Sequence, residues 1–135
     1  MFKDAIHRTP LPRDMARMST QELREAFLIE KIFEPCQITG TFTDLDRLLV
    51  GGAMPLQPLA LPNHKQTGAA FFLERRELGA INVGGAGRII ADGKTFALDK
   101  LDCAYLPKGT KSVSFESVDA QSPAKFYFLS CPAHA

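Results

Sequence analysis

Short apolar runs, each closed by Gly, Pro, Asp or Asn, make up most of the chain from residue 37 onward. "QITGTFT", "RLLVGG", "AAFFLER", "GAINV", "GRIIAD", "KTFAL", "SVSFES" and "AKFYFLS" have the length and the β-branched or aromatic content of strands. Val113, Phe115 and Val118 alternate roughly with Ser114, Glu116 and Ser117, as in a strand with one buried face. Asp92-Gly93, between "RIIA" and "KTFAL", marks a tight hairpin because both residues accept a positive φ. The N-terminal pattern is different. "STQELREAFL" puts Leu23, Ala26 and Phe27 on one helical face behind a Ser19/Glu22 capping box, and predicts one short helix from about Thr20 to Leu28. Residues 1–18, with Pro10, Pro12 and scattered charges, read as an extended N-terminal arm. A short helix ahead of many short strands predicts a single all-β domain over residues 19–135, a sandwich or small barrel.

Composition narrows the partners. The chain's 135 residues fit one domain. Its 16 basic and 15 acidic residues nearly cancel, so charge gives no ground for a nucleic-acid or anionic-membrane partner. "MFKDAIHRTPLPRD" has no apolar run after its basic residues and does not read as a signal peptide. No stretch approaches the length of a membrane-spanning helix. Cys36, Cys103 and Cys131 have no paired spacing, which predicts free thiols in a reducing cytoplasm and excludes a CxxC zinc ribbon.

"GAGRIIADGKTFALDKLDCAYLPKGTKSVSF" resembles the pattern of a cupin, with Gly87, the Asp92-Gly93 hairpin, Asp102 and Pro107-Lys108-Gly109 as its marks. The resemblance implies an RmlC-like jelly-roll β-barrel. A more specific one covers nearly the whole chain. "STQELREAFLIEKIF", "DRLLVGGAMPL", "FFLERRELGAINVGGAGRIIADGK" and "PAKFYFLSCPAH" are similar to the N-terminal half of the 5-keto-4-deoxyuronate isomerase family. That implies a longer, hexameric two-cupin protein of pectin breakdown. Its C-terminal half would hold zinc, and it would convert a 4-deoxy-5-ketouronate into the 2,5-diketo isomer.

A metal-bearing cupin carries two His and a Glu on its first motif and one His on its second. Counting back from Gly87 puts the Glu position at Ala80 and the His positions near Glu74 to Arg76. Counting forward from Pro107-Lys108-Gly109 puts the last His position at Ser112. The histidines present are His7 in the arm, His64 in "LPNHKQ" and His134 near the end, where solvated side chains are expected. The expectation is therefore no metal ligand and no cofactor in this chain. The zinc ligands that the resemblance implies would lie beyond residue 135.

Arg75 and Arg76, in "ERRE", are the candidate substrate-binding residues. Strand alternation would put Glu74 with Arg76 on one face and Arg75 with Glu77 on the other. The inward arginine would grip the carboxylate of a small uronate-type ligand, for which its planar fork is suited. The other reading is a structural cluster in which these charges pair with one another. "NVGGAG" precedes a strand rather than a helix and reads as a turn, not a phosphate cradle. Cys103 reads as a buried thiol, and Tyr105 and Lys111 as surface or rim residues. No catalytic residue is assigned.

Two functional readings follow. In one, the chain is the metal-less half of a ketol-isomerase, contributing to assembly and substrate pocket while a separate zinc-bearing cupin polypeptide supplies the metal. In the other, it is a stand-alone non-catalytic cupin, an oligomeric or sugar-acid-binding module. Both predict a homo-oligomer, with a dimer the simplest, through the apolar runs "RLLVGGAMPL" and "AKFYFLS".

Overall fold

A computed structural model describes residues 2–134. In chain order its strands are β1 (Phe2–His7), β2 (Gln37–Thr43), β3 (Leu49–Met54), β4 (Leu59–Ala60), β5 (Arg76–Asn82), β6 (Gly87–Ala91), β7 (Lys94–Leu98), β8 (Cys103–Leu106), β9 (Val113–Ser117) and β10 (Phe126–Pro132). They form a six-stranded sheet, β1-β2-β3-β10-β5-β8, and a four-stranded sheet, β4-β9-β6-β7. This is the two-sheet architecture that the strand pattern predicts, in the jelly-roll form that the resemblance implies. The sheets meet through aromatic rings: Phe115 of the small sheet lies 5.3 Å from Phe126 and 6.0 Å from Phe128 of the large one. All three are fully buried and, with Leu49, Leu78 and Ile89, form the centre of the core.

The predicted helix forms as α2 (Thr20–Phe27), closed by its capping box. The Ser19 N–H donates to Glu22 Oε2 (2.7 Å), and the Glu22 N–H donates to Ser19 Oγ (3.3 Å). None of its residues is fully buried: Leu23 and Ala26 are half-buried and Phe27 is exposed. A second, single-turn helix, α1 (Pro12–Met15), precedes it. Pro12 starts that turn, a position where proline's missing N–H costs nothing. Residues 2–7 run parallel to β2 as the edge strand of the large sheet.

Two segments differ from the sequence pattern. "AAFFLER" is not a strand; β5 begins only at Arg76. Phe72 and Leu73 are adjacent and both belong to the apolar core, which a strand with a single core-facing side does not allow. The segment turns instead: the Ala70 N–H donates to Glu74 Oε2 (2.8 Å), and the Leu73 carbonyl accepts from the Gly109 N–H (2.7 Å). Val118 lies one residue past β9 and is exposed.

The "NVGGAG" turn is organised by Asn82, which is 0% exposed at the end of β5. Its Nδ2 donates to the carbonyls of Gly85 (2.8 Å) and Leu98 (3.0 Å). Its Oδ1 accepts from the N–H groups of Gly84 (3.1 Å) and Lys125 (3.2 Å). One side chain thus ties the turn to the end of β7 and the approach to β10. Gly85 sits so close to Ser122 that a Cβ would collide with the Ser122 backbone.

The Asp92-Gly93 hairpin forms with φ of 47° and 80°. Asp92 has a further role: its carboxylate accepts from the N–H groups of Lys111 (3.0 Å) and Ser112 (2.8 Å), fastening the hairpin to the loop after Pro107-Lys108-Gly109. These donors, Ser112 N–H foremost, hold the Asp92 carboxyl below the usual Asp range. A depressed carboxyl stabilises the fold at pH above its unfolded pKa, and that contribution is lost as pH falls through the folded value. Asp92→Asn keeps a residue tolerant of positive φ but removes the charge. In thermal melts the wild type should exceed Asp92→Asn near neutral pH, and the gap should close as pH falls below about 4. A gap that persists at low pH would mean that the carboxylate's charge does not strengthen these bonds.

Candidate functional site

Strand β5 opens with Arg76, whose side chain faces inward and is 5% exposed. Its Nε donates to Ser130 Oγ (3.1 Å), and its Nη2 donates to the carbonyls of Ser130 (2.6 Å) and Arg47 (2.7 Å). Ser130 Oγ in turn donates to the Glu77 carbonyl (2.7 Å). All of Arg76's acceptors are neutral. Desolvation by burial is the chief cause pulling its pKa down; Cys131 opposes this and nearby Arg47 adds to it. Arginine's starting value is high enough that the group stays a cation. Nη1 has no hydrogen-bond partner among the described residues and is not sealed from solvent.

Arg76 lines a cavity of about 190 Å³ at the end of the barrel where β2 finishes, β5 begins and β10 finishes. Phe42, Ala69 and Pro132 give it apolar walls, Gln66 and Thr67 polar ones, and Arg47 and Arg75 complete the lining. Arg47 is placed by the β2–β3 turn, in which Asp46 (φ 50°) and Arg47 (φ 55°) are both left-handed. Two adjacent non-glycine residues in that region carry strain. The Arg76 bond to the Arg47 carbonyl helps hold it.

Arg75 corrects the expected alternation. It precedes β5 and belongs to the turn, so it does not point away from Arg76: both arginines line the same cavity. Nor do the charges of "ERRE" pair with one another. Glu74 accepts from the Ala70 N–H, and Glu77 accepts from the Tyr105 hydroxyl (2.8 Å) and the Cys131 thiol (3.5 Å). His64 is a second correction. Expected to be solvated, it is 1% exposed, stacks on Phe42 (6.2 Å between ring centroids), and its Nδ1 accepts from the Gln66 N–H (3.2 Å). Its loop folds onto the barrel end because the imidazole caps the 3-10 turn Lys65–Thr67. The signal in the sequence is "NHKQ", where His64 stands immediately before a polar turn as its N-cap.

The residues at the counted metal positions do not suit a metal. Ala80 faces the apolar core between Phe128 and Ala104 and offers only a methyl group. Ser112 is exposed and bonded through Oγ to Asp92 (3.2 Å), with Val113 beside it facing inward. Among the described residues, no three His, Cys, Asp or Glu side chains are grouped to hold a metal ion.

The outer face of the large sheet is the other notable surface. β3 and β10 commit Leu49, Ala53, Phe126 and Phe128 to their own core, so only their alternate residues remain for contact. Gly79, Ile81, Cys103, Tyr127 and Leu129 line a shallow, almost wholly apolar hollow of about 310 Å³ there. Cys103 therefore corrects another expectation: it is exposed, because β8 turns Ala104 and Leu106 inward and Cys103 and Tyr105 out. Tyr105 lies on this face, not at the barrel mouth, and its bond to Glu77 pushes its hydroxyl pKa up. Cys131 also titrates high, through burial first and Glu77 second. Alkylation with limiting iodoacetamide, followed by peptide mass spectrometry, should label Cys103 first and Cys131 more slowly, because less of Cys131 is thiolate. In urea the two rates should converge. Equal rates in the folded protein would contradict the two environments.

No family model matches the chain. In sequence it is 47% identical over 131 residues to a protein of Opitutus terrae named 4-deoxy-L-threo-5-hexosulose-uronate ketol-isomerase, covering 96% of this chain and 47% of that protein. A protein of the same name from Caldicellulosiruptor bescii is 47% identical over 124 residues, 91% of this chain and 45% of its own length. The chain spans about half the length of the curated relatives it matches. Among solved structures, the cupin domain of Schizosaccharomyces pombe Cnp3 superposes with a TM-score of 0.53 at 11% identity, over 71% of this chain and 64% of that one. The chain has the cupin fold and is similar in sequence to the 4-deoxy-L-threo-5-hexosulose-uronate ketol-isomerases over about half of their length.

Proposed function

We propose that the chain acts as the metal-less N-terminal cupin half of a ketol-isomerase-like protein of pectin and uronate breakdown. Identity of 47% across 96% of the chain to a protein of that name is the observation that carries this reading. Ketol isomerisation moves a proton between adjacent carbons while a carbonyl and a hydroxyl exchange places, and zinc on a second cupin would polarise those oxygens. Ala80 and Ser112 give this barrel no donor set for that task. Its own contribution is then a surface for assembly and part of the substrate pocket. The three free cysteines accord with a reducing compartment, and we assign the chain to the cytoplasm. Among the described residues, no helix is long and apolar enough to cross a membrane.

The outer sheet face favours a second reading, an oligomeric cupin module without catalysis of its own. A Cβ at Gly79 would meet nothing within 4 Å, so the centre of this face is open. Leu129 stands beside Gly79 in register. A knob next to a hollow is self-complementary, and two copies related by a twofold axis would seat each Leu129 in the other's hollow. Such a homodimer needs to bury roughly 1,600 Å² in total.

An assay on 5-keto-4-deoxyuronate separates the readings. The purified chain should be inactive alone and with added zinc, and active when a zinc-bearing second cupin is supplied. Turnover by the chain alone would overturn the metal-less reading, and no turnover in any combination would leave the module. By light scattering the chain should be a dimer at tens of micromolar protein, an expectation set by the interface size. Gly79→Arg should make it a monomer that still folds, since a Cβ at this position meets no atom within 4 Å and the longer side chain can extend into solvent.

A further inference from the structure

We infer that the cavity lined by Arg76, Arg75 and Arg47 binds a small hydroxylated carboxylic acid. The argument begins with charge. Arg76 is a cation taken out of water with only neutral acceptors, Ser130 Oγ and two carbonyls. A buried charge is costly unless an opposite charge compensates it. Two further arginines stand at the rim of the same cavity, and neither is ion-paired among the described residues. Three like charges around one hollow repel, and an anion bound between them relieves that repulsion.

Geometry selects the kind of anion. The guanidinium nitrogen of Arg76 that lacks a protein acceptor is Nη1, so the buried group has a donor left for a ligand. Carboxylates suit arginine through paired N–H donors, which Arg75 or Arg47 can complete from the rim. The volume of about 190 Å³ equals the liquid-state share of roughly six water molecules. That admits a compact acid of a few carbons and excludes a polymer. Phe42 and Pro132 offer a wall to a carbon skeleton, which an inorganic oxyanion lacks. Gln66, exposed at the rim, carries an amide able to bond hydroxyl groups on that skeleton.

The site deepens the pocket role in the proposed function, but it needs neither zinc nor a second polypeptide, so its binding test can fail while the isomerase assay succeeds, and the reverse. Titration calorimetry on the purified chain at low ionic strength, with glucuronate, acetate and inorganic phosphate as probes, tests it. Glucuronate should bind at millimolar concentration or below, acetate more weakly, and phosphate more weakly than glucuronate. Arg75→Ala and Arg47→Ala, at exposed positions that leave the fold intact, should each weaken glucuronate by about ten-fold, the scale of one charge-assisted hydrogen bond. Arg76→Lys should also weaken it, by keeping the charge and losing the planar donor. Arg76→Ala strands the Arg47 and Ser130 carbonyls, so its folding is checked by circular dichroism before its binding is read. No heat and no amide chemical-shift change around Thr67 and Ala69 with tens of millimolar glucuronate would overturn the inference. So would phosphate binding as tightly as glucuronate, or affinity unchanged in the Arg47→Ala/Arg75→Ala double variant.

Discussion

Asn82 brings a carboxamide into a core that offers it no water, so its two donors and two acceptor positions must all be met by the protein. They are met by backbone groups of Gly84, Gly85, Leu98 and Lys125. This fixes where the β5–β6 turn lies, where β7 stops and how the chain enters β10. At the other end of β5, Arg76 imposes the same demand with a charge, and its partners come from β10 and the β2–β3 turn. Between them Leu78 and Ala80 are ordinary core. Strand β5 is thus pinned at both ends by a buried polar side chain. A slip by one residue would expose both and bury Glu77 in their place.

Much of this order was legible in the sequence where chemistry is local. Asp92-Gly93 requires a left-handed pair, and Ser19 with Glu22 closes a helix end; both are properties of a few adjacent residues. The strand runs "QITGTFT" and "KTFAL" match β2 and β7 residue for residue. What was not legible depends on partners far away in the chain. Asn82 looks like any loop asparagine until Lys125 and Leu98 are beside it. "AAFFLER" has strand composition, but Phe72 and Leu73 are both needed in the core, and that demand defeats alternation. The candidate pair Arg75 and Arg76 was visible as charge. Arg47, which completes the cavity, was not, because it arrives from a turn that only tertiary structure brings near.

The surfaces that this barrel leaves uncovered fit its relation to longer proteins. The outer face of β2 and β3 is shielded by residues 32–33: a Cβ at Gly52 would strike Ile32, and the Thr39 hydroxyl donates to the Ile32 carbonyl. The outer face of β10, β5 and β8 has no such cover among the described residues, and its central hollow is apolar. Phe27 at the end of helix α2 and Leu28 just after it are likewise exposed to solvent. These features lie on the outside of the barrel, whereas the arginine cavity opens at one end of it. The proposed contact with another cupin and the proposed binding of a small acid would therefore draw on different residues, and substitutions on the sheet face need not disturb the cavity.

The place of β10 has a consequence for how the chain folds. It is the last strand in chain order, yet it lies between β3 and β5 in the large sheet. Until it arrives, β3 and β5 present open edges, Arg76 lacks its Ser130 acceptors and Asn82 lacks its Lys125 donor. The closing links are long: Arg76 to Ser130 spans 54 residues and Lys125 to Asn82 spans 43. Contacts of such separation are reached slowly, because chain entropy is lost before they form. During synthesis the nascent barrel must therefore wait, half-paired, for its central strand, with two sticky edges available to any other unfinished chain on the same message.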